Sequence, residues 1–149
     1  MVALDYLTKI AMLAWFAPGE SRAFAPFFNL VLVFNKGAAF SFLASAQGWQ
    51  TSLFAAFAVV ASVLITFLIL RNEDKKLFCG GLALILGGAL GNLYDRIAYG
   101  HVVDFLDFHA MGWHWPAFNV ADSAITIGAG ILILEVFLHR EPESREKGA

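Results

Sequence analysis

Asp95, Asp104, Asp107 and Asp122 fall close together in the chain, and asparagines accompany them in two similar frames, Asn92-Leu93-Tyr94-Asp95 and Asn119-Val120-Ala121-Asp122. Two carboxyl groups brought near each other cannot both ionise cheaply; they share a proton, so one is a base and the other an acid. Such a pair can activate a water against an amide carbonyl while protonating the oxyanion or the leaving amine. It titrates as a unit, so neither member has a fixed role. Other chemistries have less to work with. No serine stands in a nucleophile-elbow pattern, and Cys79 has no base near it in sequence. His101, His109, His114 and His139 form no HExxH or comparable metal signature. His109 and His114 can share a loop, where they read as interfacial or hydrogen-bonded histidines.

The residues alone do not say which aspartates would pair. Asp122 can equally be the N-cap of the helix that follows it. Asp95 has Arg96 beside it, which suits an ionised structural carboxylate or a place among headgroups, and Asp107 lies in an expected loop three residues past Asp104.

The elements that must position these groups are membrane elements. Apolar residues make up 59% of the 149-residue chain, charged residues only 15%, and apolar blocks alternate with short polar ones. The length suits one domain, 1–149, folded as an all-α bundle of four transmembrane helices. Spans are expected at about 1–17, 51–70, 77–94 and 121–138, with a charged, disordered tail at 141–149. The first segment carries Asp5 and Lys9 after only four residues; it is either a short helix or a span whose beginning lies upstream, and the second is favoured. No cleavable signal peptide is read there, because Met1 to Leu4 has no basic n-region. In the second clear span, Gly87 and Gly91 are spaced for close helix approach. A formal charge of -2 leaves no basic stripe for nucleic acid. Cys79, the single cysteine, reads as a small buried hydrophobe.

Lysine and arginine number three in the Arg71–Lys76 break and three in the tail (Arg140, Arg145, Lys147), against Arg22, Lys36 and Arg96 in the other two connections. The positive-inside rule then puts both termini in the cytoplasm and the aspartates outside. Phe28 to Phe34 reads as a strand, Asn35-Lys36-Gly37 as a turn and Ala38 to Leu43 as a return strand, a small extracytoplasmic sheet on the outer leaflet. Trp113, Trp115 and Phe118 read as an interfacial belt or, more sharply, a lipid-binding wall. Gly100–Pro116 has a loop-like composition and is expected to be a mobile lid.

At this point the sequence resembles the lipoprotein signal peptidase (signal peptidase II) family, bacterial membrane aspartyl peptidases. The matching blocks are Asp5-Tyr6-Leu7-Thr8-Lys9, Asn35-Lys36-Gly37-Ala38-Ala39-Phe40-Ser41-Phe42, Gly87 to Arg96, Gly100-His101-Val102-Val103-Asp104-Phe105 and Phe118-Asn119-Val120-Ala121-Asp122-Ser123. They follow the family order across most of the chain. The resemblance implies a multi-pass protein of the bacterial cytoplasmic (inner) membrane with an outward-facing site, a small sheet cradle and a periplasmic helix. It implies cleavage of a diacylglyceryl-modified prolipoprotein just before the lipidated cysteine. By motif position, Asp104 and Asp122 correspond to the catalytic pair, Asn92, Arg96 and Asn119 to residues lining the site, and Asp5 and Asn35 to polar positions near it. No metal or cofactor is expected. The expected partners are the lipidated substrate and membrane lipid, with the enzyme a monomer. A proton-coupled carrier and a scaffold subunit are the rival readings; four spans without an inverted repeat argue against the first, and the gathering of acids against the second.

Overall fold

The computed structural model describes residues 1–37 and 49–138. The return strand expected at Ala38–Leu43 and the tail expected at 141–149 lie outside the described residues. In chain order the elements are α1 (Val2–Trp15), β1 (Ser21–Ala25), β2 (Phe28–Asn35), α2 (Trp49–Arg71), α3 (Lys76–Tyr99), β3 (Val102–Ala110), β4 (Trp113–His114) and α4 (Val120–Leu138).

Three helices, α2, α3 and α4, are long and apolar enough to cross a membrane. On α2 the apolar side chains Val60, Val63, Leu64 and Phe67 are exposed all along the helix, which lipid favours and water does not. The closest helix contact is α3 on α4, made by glycines. A Cβ on Gly88 would run into the backbone oxygen of Ala121, and one on Gly128 would lie 2.5 Å from the oxygen of Gly81. Helix α1 has 14 residues, Val2–Trp15, about 21 Å at 1.5 Å per residue.

The third helix also departs from expectation, running past Tyr94 to Tyr99. Asp95 and Arg96 are therefore helical, and the helix stops where Gly100 takes φ +75° and its N–H donates to the Arg96 carbonyl at 3.2 Å. Cys79 is half-buried rather than buried, and its thiol meets the Asn72 carbonyl at 2.9 Å.

Among the described residues the sheet has four antiparallel strands in the order β1-β2-β3-β4. Gly100–Pro116, expected as a loop, is largely the β3–β4 hairpin, so Asp104 and Asp107 both sit on a strand. Backbone pairing to β2 overrides a composition that two aspartates make look loop-like. Leu32, Val103 and Phe105 pack against Met12 and Phe16 at the end of α1, fixing sheet to bundle. The β2–β3 register slips by one residue between Leu30 and Val33, after which Val33 pairs with Asp104. A one-residue slip exchanges the faces of a strand. Asn35, two residues beyond Val33, therefore shares the face of Asp104.

Candidate active site

Asp104 and Asp122 meet through Asn119, which is completely buried at the start of α4. Asn119 is the N-cap: its Oδ1 accepts the Asp122 backbone N–H at 3.0 Å, and its own N–H donates to Asp122 Oδ2 at 3.3 Å. This reciprocal capping box places Asp122 in the first turn, where the helix dipole favours an anion. The alternative reading of Asp122 as the N-cap is thus corrected: the cap is Asn119, three residues earlier. The Asn119 amide donates to Asp104 Oδ1 at 2.7 Å and also lies 3.1 Å from Asn92 Oδ1 and 3.2 Å from the Val103 carbonyl.

Three asparagines present NH2 groups to the two carboxylates, and each is held by its oxygen to a group that can only donate. Asn119 Oδ1 takes the Asp122 backbone N–H. Asn35 Oδ1 takes the Gly37 N–H at 2.8 Å, and its Nδ2 donates to Asp104 Oδ2 at 2.9 Å. Asn92 Oδ1 takes the Lys9 ammonium at 3.0 Å, and its Nδ2 donates to Asp122 Oδ1 at 2.7 Å. Amide ends are otherwise interchangeable; an obligate donor on one side decides which end faces the carboxylate.

Behind this layer lies a buried ionic one. Lys9 is 2% exposed, and its Nζ lies 2.7 Å from Asp5 Oδ2 and 2.9 Å from Asp95 Oδ2. Asp5 Oδ1 accepts the Ala121 N–H at 2.9 Å, and Asp95 Oδ2 accepts the Val103 N–H at 3.1 Å. Asp5 therefore holds the start of α4, and Asp95 holds β3 one residue before Asp104. The partner expected for Asp95 was Arg96; the structure gives it Lys9, because adjacent helix residues point about 100° apart and do not face each other.

Arg96 turns the other way. Its Nη1 donates to the Asn92 carbonyl at 3.0 Å and its guanidinium lies 5.5 Å from the Phe54 ring centre. Among the described residues its buried Nε has no hydrogen-bond partner. Burial pushes the Asp104 carboxyl up to about 7; the Asn35 and Asn119 amides oppose the rise and the charge of Asp122 adds to it. Asp104 thus sits where a proton moves readily near neutral pH. Asp107 is different. Burial works to raise it, but Asn29 at 2.8 Å and the His114 ring at 2.8 Å hold it below the usual carboxylate range. It joins β2, β3 and β4 at the far end of the strand.

All seven residues singled out in sequence, Asp5, Asn35, Asn92, Arg96, Asp104, Asn119 and Asp122, belong to this one network; Asp95 joins it in the ionic layer through Lys9, while Asp107 is engaged elsewhere. Lys9 escaped the sequence reading as a site residue. Its signal was its spacing, since Asp5 and Lys9 stand i,i+4 on one helix face within an apolar segment, where a lone charge would be costly. Phe54, in the middle of an apolar span, carried no signal.

Comparison with known proteins gives the family and the overall fold. The sequence model for signal peptidase (SPase) II matches residues 1–138. The chain is 62% identical over 135 residues to the lipoprotein signal peptidase of Paraburkholderia phymatum, covering 91% of this chain and 81% of that one. It is likewise 62% identical over 134 residues to the lipoprotein signal peptidase of Ralstonia nicotianae, covering 90% and 78%. A bacterial membrane enzyme solved by the in meso method at 2.3 Å resolution superposes with a TM-score of 0.83 at 27% identity, over 99% of this chain and 89% of that one. Another, solved at 1.9 Å, gives 0.80 at 30% identity over 94% and 88%. With these matches spanning nearly the whole described fold, the chain belongs to the signal peptidase II family of peptidases.

Proposed function

We propose that this protein removes the signal peptide from diacylglyceryl-modified prolipoproteins, cutting just before the lipidated cysteine, with a water activated between Asp104 and Asp122. The observation that carries the reading is the shared use of Asn119 by both carboxylates, in a site where amide NH2 groups engage both. The ionised member of the pair takes a proton from water as its oxygen attacks the scissile carbonyl carbon. The protonated member gives its proton to the carbonyl oxygen. Collapse of the tetrahedral intermediate breaks the C–N bond: a dyad proton passes to the leaving amine, and a hydroxyl proton of the intermediate returns to the dyad as the carboxyl product forms. Roles belong to the pair and not to either residue. Arg96 would hold a substrate carbonyl or the local loop, and Asp5 and Asn35 would hold the two carboxylate-bearing elements in place.

The surroundings suit a lipidated substrate. Asp122 lines a groove of about 460 Å³ with Trp115, Phe118, Ser123, Thr126 and Ile127, open along the apolar side of α4. The reading places the site at the outer face of the cytoplasmic membrane. Its test is cleavage of a diacylglyceryl-modified prolipoprotein peptide in detergent, with chelator, by wild type, Asp104→Asn and Asp122→Asn. Activity in wild type alone is expected. Cleavage surviving in either variant would mean that the pair is wrongly assigned.

A further inference from the structure

We infer that Lys9 is a positioning residue for the proposed hydrolysis: its ammonium holds Asn92 Oδ1 and thereby turns the Asn92 NH2 onto Asp122. The inference rests on the reading of Asp104 and Asp122 given above. Lys9 has three N–H donors and no acceptor. Two of them satisfy Asp5 and Asp95, which would suffice for a buried structural ion pair; the third goes to Asn92, on a different helix, at 3.0 Å. Among the described residues Lys9 is the charged donor to Asn92 Oδ1; the Asn119 amide, itself turned by the Asp122 N–H, gives that oxygen a second, neutral donor at 3.1 Å, and a hydrogen bond from a charged donor is the stronger of the two. With Lys9 gone, Asn92 Oδ1 loses its charged donor, and the amide whose NH2 meets Asp122 at 2.7 Å is held less firmly in that position.

The effect should be felt in chemistry before binding. The charged groups around Asp122 are Asp104 on β3, Arg96 and Asp95 on α3, and Asp5 and Lys9 on α1. Removing Lys9 alone would leave two buried carboxylates facing each other, a change that destabilises the fold itself; the test therefore removes one charge of each sign. The variants are Lys9→Met/Asp95→Asn and Lys9→Gln/Asp95→Asn, compared with Asp95→Asn in detergent-solubilised full-length enzyme. Glutamine retains an N–H that can reach toward Asn92; methionine does not.

For the methionine pair we expect kcat to fall about ten- to hundredfold, the worth of one hydrogen bond to a charged group. KM should stay within about twofold of the Asp95→Asn enzyme, because the lost contact is not to substrate. The acidic limb of kcat should move to higher pH, since the ionised dyad loses a donor. The glutamine pair should recover a large part of both. Equal kcat and pH profiles in the two pairs and in Asp95→Asn, with only the melting temperature changed, would overturn the inference. Where a pair does not fold, the wild-type enzyme still decides: the Asn92 side-chain amide resonance must follow the dyad titration, and a flat resonance overturns the inference. Wild-type cleavage and its loss in Asp104→Asn test the underlying reading separately, so either can fail alone.

Discussion

At the residue scale the site is a problem of keeping carboxylates in place without water. Asp104 is 1% exposed, and its carboxyl is pushed up to about 7 chiefly by burial. A carboxyl raised in the folded state binds its proton there but not in the unfolded chain across the interval between about 4 and about 7. Its contribution to stability is therefore complete below the unfolded value and is lost as pH rises through the folded one. Relative to Asp104→Asn, which cannot ionise, wild type should lose melting temperature in detergent from about pH 4 to about pH 7 and run parallel above. Parallel curves throughout would show that Asp104 titrates normally. Arg96 makes a sharper demand on shape. Arg96→Lys keeps the charge but loses the planar fork and its place over Phe54, and activity should fall about tenfold or more, mostly in KM if the guanidinium meets a substrate carbonyl. A fall confined to kcat would place Arg96 on the dyad instead. These residues were legible in sequence as types and motifs. What Lys9 does was not, because Lys9 and Asn92 are 83 positions apart and meet only when α1 packs on α3.

Elements decide whether those residues meet. The start of α4 lies hard against α3: a Cβ on Gly88 meets the Ala121 backbone oxygen, one residue before Asp122. Gly88→Ala should therefore destabilise the protein by about 1–3 kcal/mol, as overpacking does, and should also reduce cleavage by moving Asp122 relative to Asp104. Gly80→Ala meets nothing within 4 Å and should leave melting and activity as they are. If both variants behave alike, the α3–α4 crossing does not set the site. The long apolar spans and strand β2 could be read from hydropathy and from β-branched and aromatic content, since lipid and pairing demand those patterns locally. Strand β3 could not, because Asp104 and Asp107 break its apolar pattern. Each is tolerated by one particular tertiary partner set, Asn35 with Asn119 for the first and Asn29 with His114 for the second. The slip between Leu30 and Val33, which puts Asn35 on the face of Asp104, leaves no mark in the residue types at all.

Taken as a whole, the molecule is polarised along the helix axes. Helices α2 and α3 are joined by a short turn next to Arg71, Lys75 and Lys76, and at their other ends Thr51 donates to the Gly100 carbonyl at 3.1 Å, beside the sheet and the start of α4. The 24 residues of α3 correspond to about 36 Å, enough to set the basic turn and the aspartates on opposite sides of a bilayer. Positive charge is retained on the cytoplasmic side, so the carboxylate end should face outward, where a translocated and lipidated chain would meet it. Cysteines introduced at Asp74 and Met111, both exposed, in a Cys79→Ser background would test this with a membrane-impermeant maleimide on intact spheroplasts. Met111→Cys should label at once and Asp74→Cys only after permeabilisation. The reverse pattern would leave the network intact but turn it toward the cytoplasm, and a peptidase acting there would meet its substrates before they are translocated.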